Sequence, residues 1–132
     1  MAVIGTRLAP TTAVASGLDP KWLSHDSRIV AAYASDPLVF GITTPRWFME
    51  VERAQRELLD GAADIRLPLL MQLAEEDRIA DHRRSIEVFK RIGSADKTLL
   101  PYAGLFHEIY NELARDAVIA DLVAWLCLQA RA

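Results

Sequence analysis

The run of apolar residues from Leu67 to Leu73 constrains the fold more than any other segment of the sequence. It is too short for a typical helix, and it leads into the acidic residues Glu75–Asp77. A short, nearly continuous apolar run predicts a strand that is buried on both faces, as in parallel sheets. A second run, residues 98–102, predicts another strand, and Pro101 favours an edge position for it because proline cannot donate a ladder hydrogen bond.

Helical patterns alternate with these two strands. The first covers residues 82–92 and ends before Gly93, and the second runs from Asn111 or Glu112 to about Gln129. Each predicts one buried face, formed by Ile86, Phe89 and Ile92 in the first helix and by Val118, Leu122, Trp125 and Leu126 in the second. The order strand, helix, strand, helix predicts an α/β fold with parallel strands joined by a right-handed crossover.

The residues before the first strand predict helices. Asp19-Pro20 and Thr44-Pro45 each combine a capping residue with proline at the first helical position, and Asp26 precedes another helical pattern. Gly61 is expected just after the end of the helix that begins at Pro45. We therefore divide the chain into an N-terminal arm or loop (1–18), a helical segment (19–62) and an α/β segment (63–132).

Composition and charge argue against several functions. The 132 residues suffice for one domain, and the net charge of −3 with scattered Lys and Arg argues against a nucleic-acid partner. Cys127 is the only cysteine, so it forms no disulfide within the chain, and its surroundings predict a small apolar residue on a helix. We expect no signal peptide and no transmembrane segment, since no apolar run approaches the roughly 20 residues that a span needs. The expected compartment is the cytoplasm.

Two titratable residues follow the ends of the predicted strands. Asp77 lies just past the first strand and His107 just past the second, after Gly104. Parallel strands bring their carboxyl ends to the same edge, where ligands bind in open α/β sheets. An aspartate there can hold a histidine in the tautomer needed for general-base catalysis and can stabilise its protonated form. The sequence therefore predicts an acid–histidine pair at this edge.

Other acids and histidines suggest a metal site as an alternative. Asp81 and His82 lie close to Asp77 in the sequence, and His25 and Asp26 carry suitable ligand atoms as well. A helix start explains these acids better, because negative charge is stabilised at a helix N-terminus. We therefore expect no metal ion and no organic cofactor.

Several stretches of the sequence together carry a family resemblance. The stretches LPLLMQLAEEDRIADHRRS, DKTLLPYAGLFHEIYNE and VIADLVAWL resemble the last part of the α/β-hydrolases of the monoacylglycerol lipase, lysophospholipase and serine aminopeptidase group. The stretch GLDPKWLSHDSRIVAAYASDPLVF and the helix from Pro45 resemble the cap segment of that group. The resemblance implies a partial α/β-hydrolase fold, with helical cap elements before a β-α-β-α unit. It makes Asp77 the triad acid and His107 the triad histidine.

The sequence departs from this family at two places. Leu73-Ala74 stands at the end of the first predicted strand, where many relatives have His-Gly. The nucleophile sequence G-x-S-x-G is absent, because no two of the six glycines lie four positions apart, and the His-Gly-rich oxyanion loop is absent as well.

The resemblance implies a serine hydrolase for carboxylic esters, above all fatty acyl esters, to which this chain contributes the acid and the histidine. Trp47 and Phe48 would line the acyl pocket, although their spacing fits an ordinary amphipathic helix equally well. The serine would come from a complementary hydrolase chain. Such a chain, or a homo-oligomer, would cover the apolar edge of the first strand. The alternative is a non-catalytic interaction module, or a truncated remnant that keeps the triad residues by descent.

Overall fold

The computed structural model describes residues 9–131, along which helices and strands alternate. The strands in this range are β1 (Val14–Ala15), β2 (Ile42–Thr43), β3 (Leu69–Ala74) and β4 (Lys97–Tyr102). The α-helices are α1 (Ser27–Ser35), α2 (Pro45–Gly61), α3 (His82–Arg91) and α4 (Arg115–Gln129). Short 3₁₀ helices cover Pro20–Trp22, Ala62–Asp64 and Ile109–Asn111. The chain is therefore an α/β protein in which α1 and α2 precede a β3-α3-β4-α4 unit.

Strands β3 and β4 form a parallel pair, and α3 connects them. Their register runs from Leu69 opposite Lys97 to Ala74 opposite Tyr102. The prediction of parallel strands in the order strand, helix, strand, helix is confirmed. Strand β3 begins two residues later than predicted, and Leu67, placed in the predicted strand, is 77% exposed.

The ladder between β3 and β4 explains how β4 accommodates a proline. At its two ends, the N–H groups of Leu69 and Glu75 donate to the carbonyls of Asp96 and Tyr102, both at 3.0 Å. Successive residues of a strand direct their backbone groups to opposite sides. The even-numbered residues of β4 therefore face β3, and the missing N–H of Pro101 faces away from it. Within residues 9–131, β4 has no second neighbour, which agrees with the predicted edge position but also holds for β3 in this two-stranded sheet.

Side-chain caps begin three of the helices. Asp26, Thr44 and Asp81 each accept a hydrogen bond from a backbone N–H of the first helical turn. Such caps satisfy donors that have no partner inside a helix. The interpretation of Asp26 and Asp81 as helix starts is thus confirmed. The prediction for Gly61 is wrong: it is the last residue of α2, with φ −90°, and the chain continues directly into the 3₁₀ helix Ala62–Asp64.

The end of α3 packs tightly against the turn after α2, and this contact requires a glycine. A Cβ atom at Gly93 would collide with the carbonyl oxygen of Ala63. The N–H of Gly93 donates to the carbonyl of Ala62 at 3.2 Å, and Arg66 Nη1 donates to the carbonyl of Gly93 at 2.9 Å. The helix itself ends at Arg91, and Gly93, two residues later, allows this close approach.

The core forms between the ends of the parallel strands and helix α4. Ala74, Ile109 and Val118 are its buried members, and Tyr102 and Leu105 pack against them. All five belong to β3, β4, α4 or the loop between β4 and α4. The core therefore lies directly beside the carboxyl ends of the strands.

Helix α4 begins later than the sequence predicts, and its buried face is narrower. The 3₁₀ helix Ile109–Asn111 comes first, and Glu112 has an extended backbone with ψ 166°, so the α-helix begins at Arg115. Val118 is fully buried, but Leu126 is 49% exposed, so the prediction that Leu126 faces inward is wrong. None of the helices within residues 9–131 is both long and apolar enough to cross a membrane.

The described part of the N-terminal arm contains a strand that the sequence did not predict. Strand β1 pairs antiparallel with β2, with Val14 opposite Thr43 and Ala15 opposite Ile42. Two residues are too few to show an alternating pattern, which explains why both strands were missed. Residues 1–8 of the predicted arm lie outside the described residues.

Candidate active site

The loops that follow β3 and β4 are joined by backbone hydrogen bonds. The N–H of Glu75 donates to the carbonyl of Tyr102 at 3.0 Å, and the N–H of Glu76 donates to the carbonyl of Leu105 at 3.3 Å. Between the two acceptors, Gly104 turns the chain with φ 74°, a conformation that glycine adopts without strain. The two loops therefore leave the sheet side by side.

Asp77 and His107 meet across these loops. His107 Nδ1 lies 2.7 Å from Asp77 Oδ2. The expectation that the two side chains lie within hydrogen-bond distance is confirmed. An ionised carboxylate only accepts hydrogen bonds, so a neutral His107 ring in this contact carries its proton on Nδ1 and has a free lone pair on Nε2. A histidine held in this tautomer can accept a proton through Nε2.

Backbone donors hold Asp77 in place. Its Oδ1 accepts hydrogen bonds from the N–H groups of Ile79 at 2.8 Å and Ala80 at 2.9 Å, which leaves Oδ2 for His107. The side chain of Asp77 is 11% exposed, whereas that of His107 is 37% exposed. The acid is therefore fixed and shielded, while the histidine ring reaches the surface.

A second carboxylate, Glu112, organises the loop around His107 and was not predicted as a site residue. Its side chain is only 1% exposed. It accepts hydrogen bonds from the N–H groups of Phe106 at 2.9 Å and Leu113 at 3.1 Å. The N–H of His25 lies 3.2 and 3.3 Å from its two oxygens, and His25 Nδ1 lies 2.9 Å from Oε1. Burial alone would raise the pKa of Glu112, but these hydrogen bonds outweigh burial and lower the pKa below its ordinary value of 4.5.

The segment 22–26, which precedes α1, binds the same loop. The N–H of Glu108 donates to the carbonyl of Leu23 at 2.9 Å, and Ser24 Oγ donates to the carbonyl of Asn111 at 2.9 Å. Leu23 and Ser24 are both buried. The loop that carries His107 is therefore fixed by a segment more than eighty residues earlier in the sequence.

Aromatic stacking extends these contacts to the loop of Asp77. The rings of His25 and Phe106 are stacked, with centroids 3.7 Å apart and planes at 26°. The guanidinium carbon of Arg78 lies 5.0 Å from the centroid of the Phe106 ring, within the range of a cation–π contact. Phe106 precedes His107 and Arg78 follows Asp77, so the stack joins the immediate neighbours of both site residues.

Trp47 and Phe48 lie on the first turn of α2, where they are 57% and 46% exposed. Neither lines the 380 Å³ cavity that Asp77 borders. A larger cavity of 770 Å³ lies between α2 and α3 with Met71 in its wall, and neither aromatic residue lines it. Both side chains therefore contribute apolar surface that this chain leaves uncovered.

The acids considered as metal ligands have other partners. Asp26 binds the guanidinium of Arg28 at 2.6 Å, and Asp81 binds that of Arg83 at 2.9 Å. In the part of the chain that the structure describes, no group of three or more His, Cys, Asp or Glu side chains is arranged to hold a metal ion.

Comparison with known proteins places these observations in a family. The sequence matches the family described as serine aminopeptidase, S33, over residues 1–114. The monoacylglycerol lipase of Mycolicibacterium smegmatis is 32% identical over 124 residues, which cover 91% of this chain and 43% of that protein. Phospholipase YtpA of Bacillus subtilis is 29% identical over 112 residues, which cover 84% of this chain and 43% of that protein.

Part of a solved structure has a similar fold. The crystal structure of Paleococcus ferrophilus monoacylglycerol lipase matches with a TM-score of 0.80 at 30% identity, over 95% of this chain and 49% of that chain. The present chain thus spans less than half the length of each of these three relatives. The parallel β3-α3-β4-α4 unit and the family match over most of the sequence agree with the resemblance found in the sequence, and the chain belongs to the serine aminopeptidase, S33, family of α/β-hydrolases.

Proposed function

We propose that this chain supplies the acid and the histidine of a serine hydrolase that cleaves carboxylic esters with lipid-like acyl groups. The proposal rests on the 2.7 Å contact between His107 Nδ1 and Asp77 Oδ2 at the carboxyl ends of neighbouring parallel strands. The names of two relatives, a monoacylglycerol lipase and a phospholipase, support lipid esters as the substrate class.

In the proposed reaction, His107 transfers protons and Asp77 supports it. His107 Nε2 accepts the proton of a serine hydroxyl while the serine oxygen attacks the carbonyl carbon of the ester. Asp77 stabilises the imidazolium that forms, and His107 then gives the proton to the departing alkoxide. Water attacks the acyl-enzyme with the same base and releases the carboxylic acid. The reaction needs neither a metal ion nor an organic cofactor.

The nucleophile in this proposal comes from residues outside this sequence, because the sequence contains no G-x-S-x-G. The chain covers 43% of the M. smegmatis lipase, so the relatives have a further part in which a nucleophile can lie. The serine and the oxyanion hole would lie on the same polypeptide or on a complementary chain. In either case they would pack beside β3, whose second edge has no partner within residues 9–131.

The segments of the chain have separate tasks in this proposal. Residues 19–62 act as a cap-like segment, and residues 63–132 form the C-terminal part of the hydrolase core. Trp47 and Phe48 provide an apolar wall for the acyl chain, which their exposure supports. The single cysteine supports a reducing compartment, and we propose the cytoplasm.

A chimera with a relative tests the proposal. The 124 aligned residues of the M. smegmatis monoacylglycerol lipase are replaced by the corresponding residues of this chain, and hydrolysis of p-nitrophenyl butyrate and of a monoacylglycerol is measured. We expect the chimera to be active. The present chain alone should be inactive, because an acyl-enzyme cannot form without the nucleophile.

Variants of the chimera test whether its activity depends on Asp77 and His107. Asp77→Asn and His107→Ala should each lower kcat by about 10⁴-fold or more. His82→Ala is the matched control, since His82 begins α3 and forms no hydrogen bond with either member of the pair, and it should leave kcat nearly unchanged. A folded chimera that keeps its activity without His107 would contradict the proposal. A folded but inactive chimera would favour a non-catalytic interaction module.

A further inference from the structure

We propose that Glu112 is a positioning residue for His107, which holds the loop so that His107 Nδ1 faces Asp77. The inference rests on the proposed function, because the direction of the ring matters for catalysis only if His107 transfers protons. Glu112 itself forms no hydrogen bond with either member of the pair, and its effect is transmitted through the backbone.

The backbone is held on both sides of His107. One residue before it, the N–H of Phe106 donates to Glu112 Oε1 at 2.9 Å. One residue after it, the N–H of Glu108 donates to the carbonyl of Leu23 at 2.9 Å. With both neighbours fixed, the Cα–Cβ bond of His107 can point in only a narrow range of directions.

Glu112 also fixes the segment that provides the second of these acceptors. Its carboxylate binds the N–H of His25 at 3.2 and 3.3 Å and contacts His25 Nδ1 at 2.9 Å. Ser24, between Leu23 and His25, donates to the carbonyl of Asn111, next to Glu112. The buried carboxylate of Glu112 therefore fixes the loop of His107 in two ways. It binds the loop directly, and it also binds the segment 23–25, which in turn binds the loop.

The ionised carboxylate of Glu112 suits this arrangement because it only accepts hydrogen bonds. Three backbone N–H groups and one ring nitrogen surround its two oxygens, and the side chain is only 1% exposed. A carboxylate accepts at all of its lone pairs, whereas a glutamine amide accepts at one oxygen and presents two donors of its own. Glu112→Gln thus keeps the size of the side chain and removes part of its hydrogen bonds.

Nitrogen-15 NMR of the His107 ring in the 132-residue chain provides the test. We expect the neutral wild-type ring in the Nδ1–H form, and a mixture of Nδ1–H and Nε2–H forms in Glu112→Gln. Amide hydrogen exchange at Phe106 should become about tenfold faster, as expected for the loss of one charged hydrogen bond. Glu108→Gln is the matched control, because Glu108 adjoins His107 but its carboxylate, among the described residues, binds only the side chain of Asn111. It should leave the His107 tautomer unchanged.

The outcomes separate this inference from the proposed function. Faster exchange at Phe106 with an unchanged His107 tautomer would show that Glu112 has a structural role only, and would overturn the inference. A wild-type ring outside the Nδ1–H form would overturn the acid–histidine pair and the inference together. If Glu112→Gln does not fold, His25→Phe replaces it, since phenylalanine keeps the stack on Phe106 and removes the ring nitrogen. A partial shift in tautomer then supports the inference, and an unchanged ring refutes it.

Discussion

At the scale of single residues, two carboxylates near His107 differ in how their oxygens are used. Asp77 binds backbone donors with Oδ1 and directs Oδ2 at a ring that is partly exposed. Both oxygens of Glu112 bind donors inside the protein. A carboxylate directed at an exposed titratable ring can respond to proton transfer, whereas one enclosed by fixed donors holds geometry. This difference, more than residue type, separates the roles that we propose for them.

The side chain of Asp26 caps the start of α1, and the stability that this cap contributes should depend on pH. The guanidinium of Arg28 and then the backbone N–H of Arg28 bind its carboxylate and lower the pKa of Asp26 from 3.8 to about 2. Because the pKa of Asp26 is lower in the folded state than its ordinary value, the ionised carboxylate stabilises the fold at pH values above that ordinary value. This stabilisation is lost as the pH falls from about 4 to about 2.

The variant Asp26→Asn should therefore reveal a pH-dependent difference in stability. Near neutral pH, the free energy of unfolding of the variant should be lower than that of the wild type. The difference should shrink as the pH falls from about 4 towards about 2, because protonation removes from wild-type Asp26 the negative charge that the asparagine variant lacks at every pH. Urea denaturation at a series of pH values measures it, and a difference that stays constant over this range would contradict the prediction.

The sequence predicts the acid–histidine pair of the candidate site better than the residues that support it. Asp77 and His107 were found because each follows a predicted strand, and parallel strands end at one edge. Glu112 was missed because its partner His25 lies 87 residues away, and the local pattern showed only an acid near a helix start. Burial of this kind depends on tertiary contacts and leaves no periodic signal.

At the scale of elements, α4 has apolar residues on two sides, and only one of them is covered. Val118 is fully buried against the core, whereas the side formed by Ile119, Val123 and Leu126 is between 41% and 51% exposed. A helix that is apolar on all sides is typical of one enclosed by other elements. The uncovered side of α4 therefore adds to the apolar surface that this chain leaves free.

Matched substitutions on α4 can measure this asymmetry. Val118→Ala removes two buried carbons and leaves a cavity, so it should lower the free energy of unfolding by about 2 kcal/mol. Val123→Ala is the same chemical change on the same helix, but Val123 is 51% exposed, and the cost should stay below about 0.5 kcal/mol. Urea denaturation at one fixed protein concentration compares the variants, because association changes apparent stability. Equal losses would show that α4 does not pack as described.

Elements with strong local signals were predicted, and those that depend on packing were not. The caps at Asp26, Thr44 and Asp81 fixed three helix starts because each side chain binds its own first turn. The pair β1·β2 was missed because two residues cannot show an alternating pattern. The end of α2 was missed because Gly61 stays helical and leads into the close contact between Ala63 and Gly93.

At the scale of the whole molecule, the uncovered surfaces lie on several elements. Strand β3 has a partner on one edge only among the described residues. The large exposed apolar residues of the α-helices are Leu58 and the pair Trp47 and Phe48 on α2, and Ile119, Val123, Leu126 and Leu128 on α4. Contiguous apolar patches of more than a few hundred Å² are rare on monomers and mark interaction sites. We therefore predict that this chain by itself is not a free monomer.

The open edge of β3 offers a template for pairing with another chain. Covering roughly 400 Å² of apolar surface would contribute about 10 kcal/mol, which is comparable to the cost of association, and new backbone hydrogen bonds would add to it. A homodimer or a complementary hydrolase chain could provide this cover. The N-terminal arm is an alternative, but the strand in its described part pairs with β2 instead; residues 1–8 lie outside the described range.

Two measurements on the same sample show whether the chain associates and whether the open edge of β3 is paired. Sedimentation at micromolar concentration gives the mass of the species, and amide hydrogen exchange along β3 shows whether the open edge is paired. The N–H groups of Met71 and Leu73 face β4, so they should be protected in any folded species. Those of Leu70 and Gln72 face the open edge, so they should be protected only if another strand covers it.

A mass above that of one chain with slow exchange at all four positions would support pairing through this edge. A monomer that exchanges rapidly at Leu70 and Gln72 would refute the prediction, and a monomer with slow exchange there would show that the chain covers its own edge.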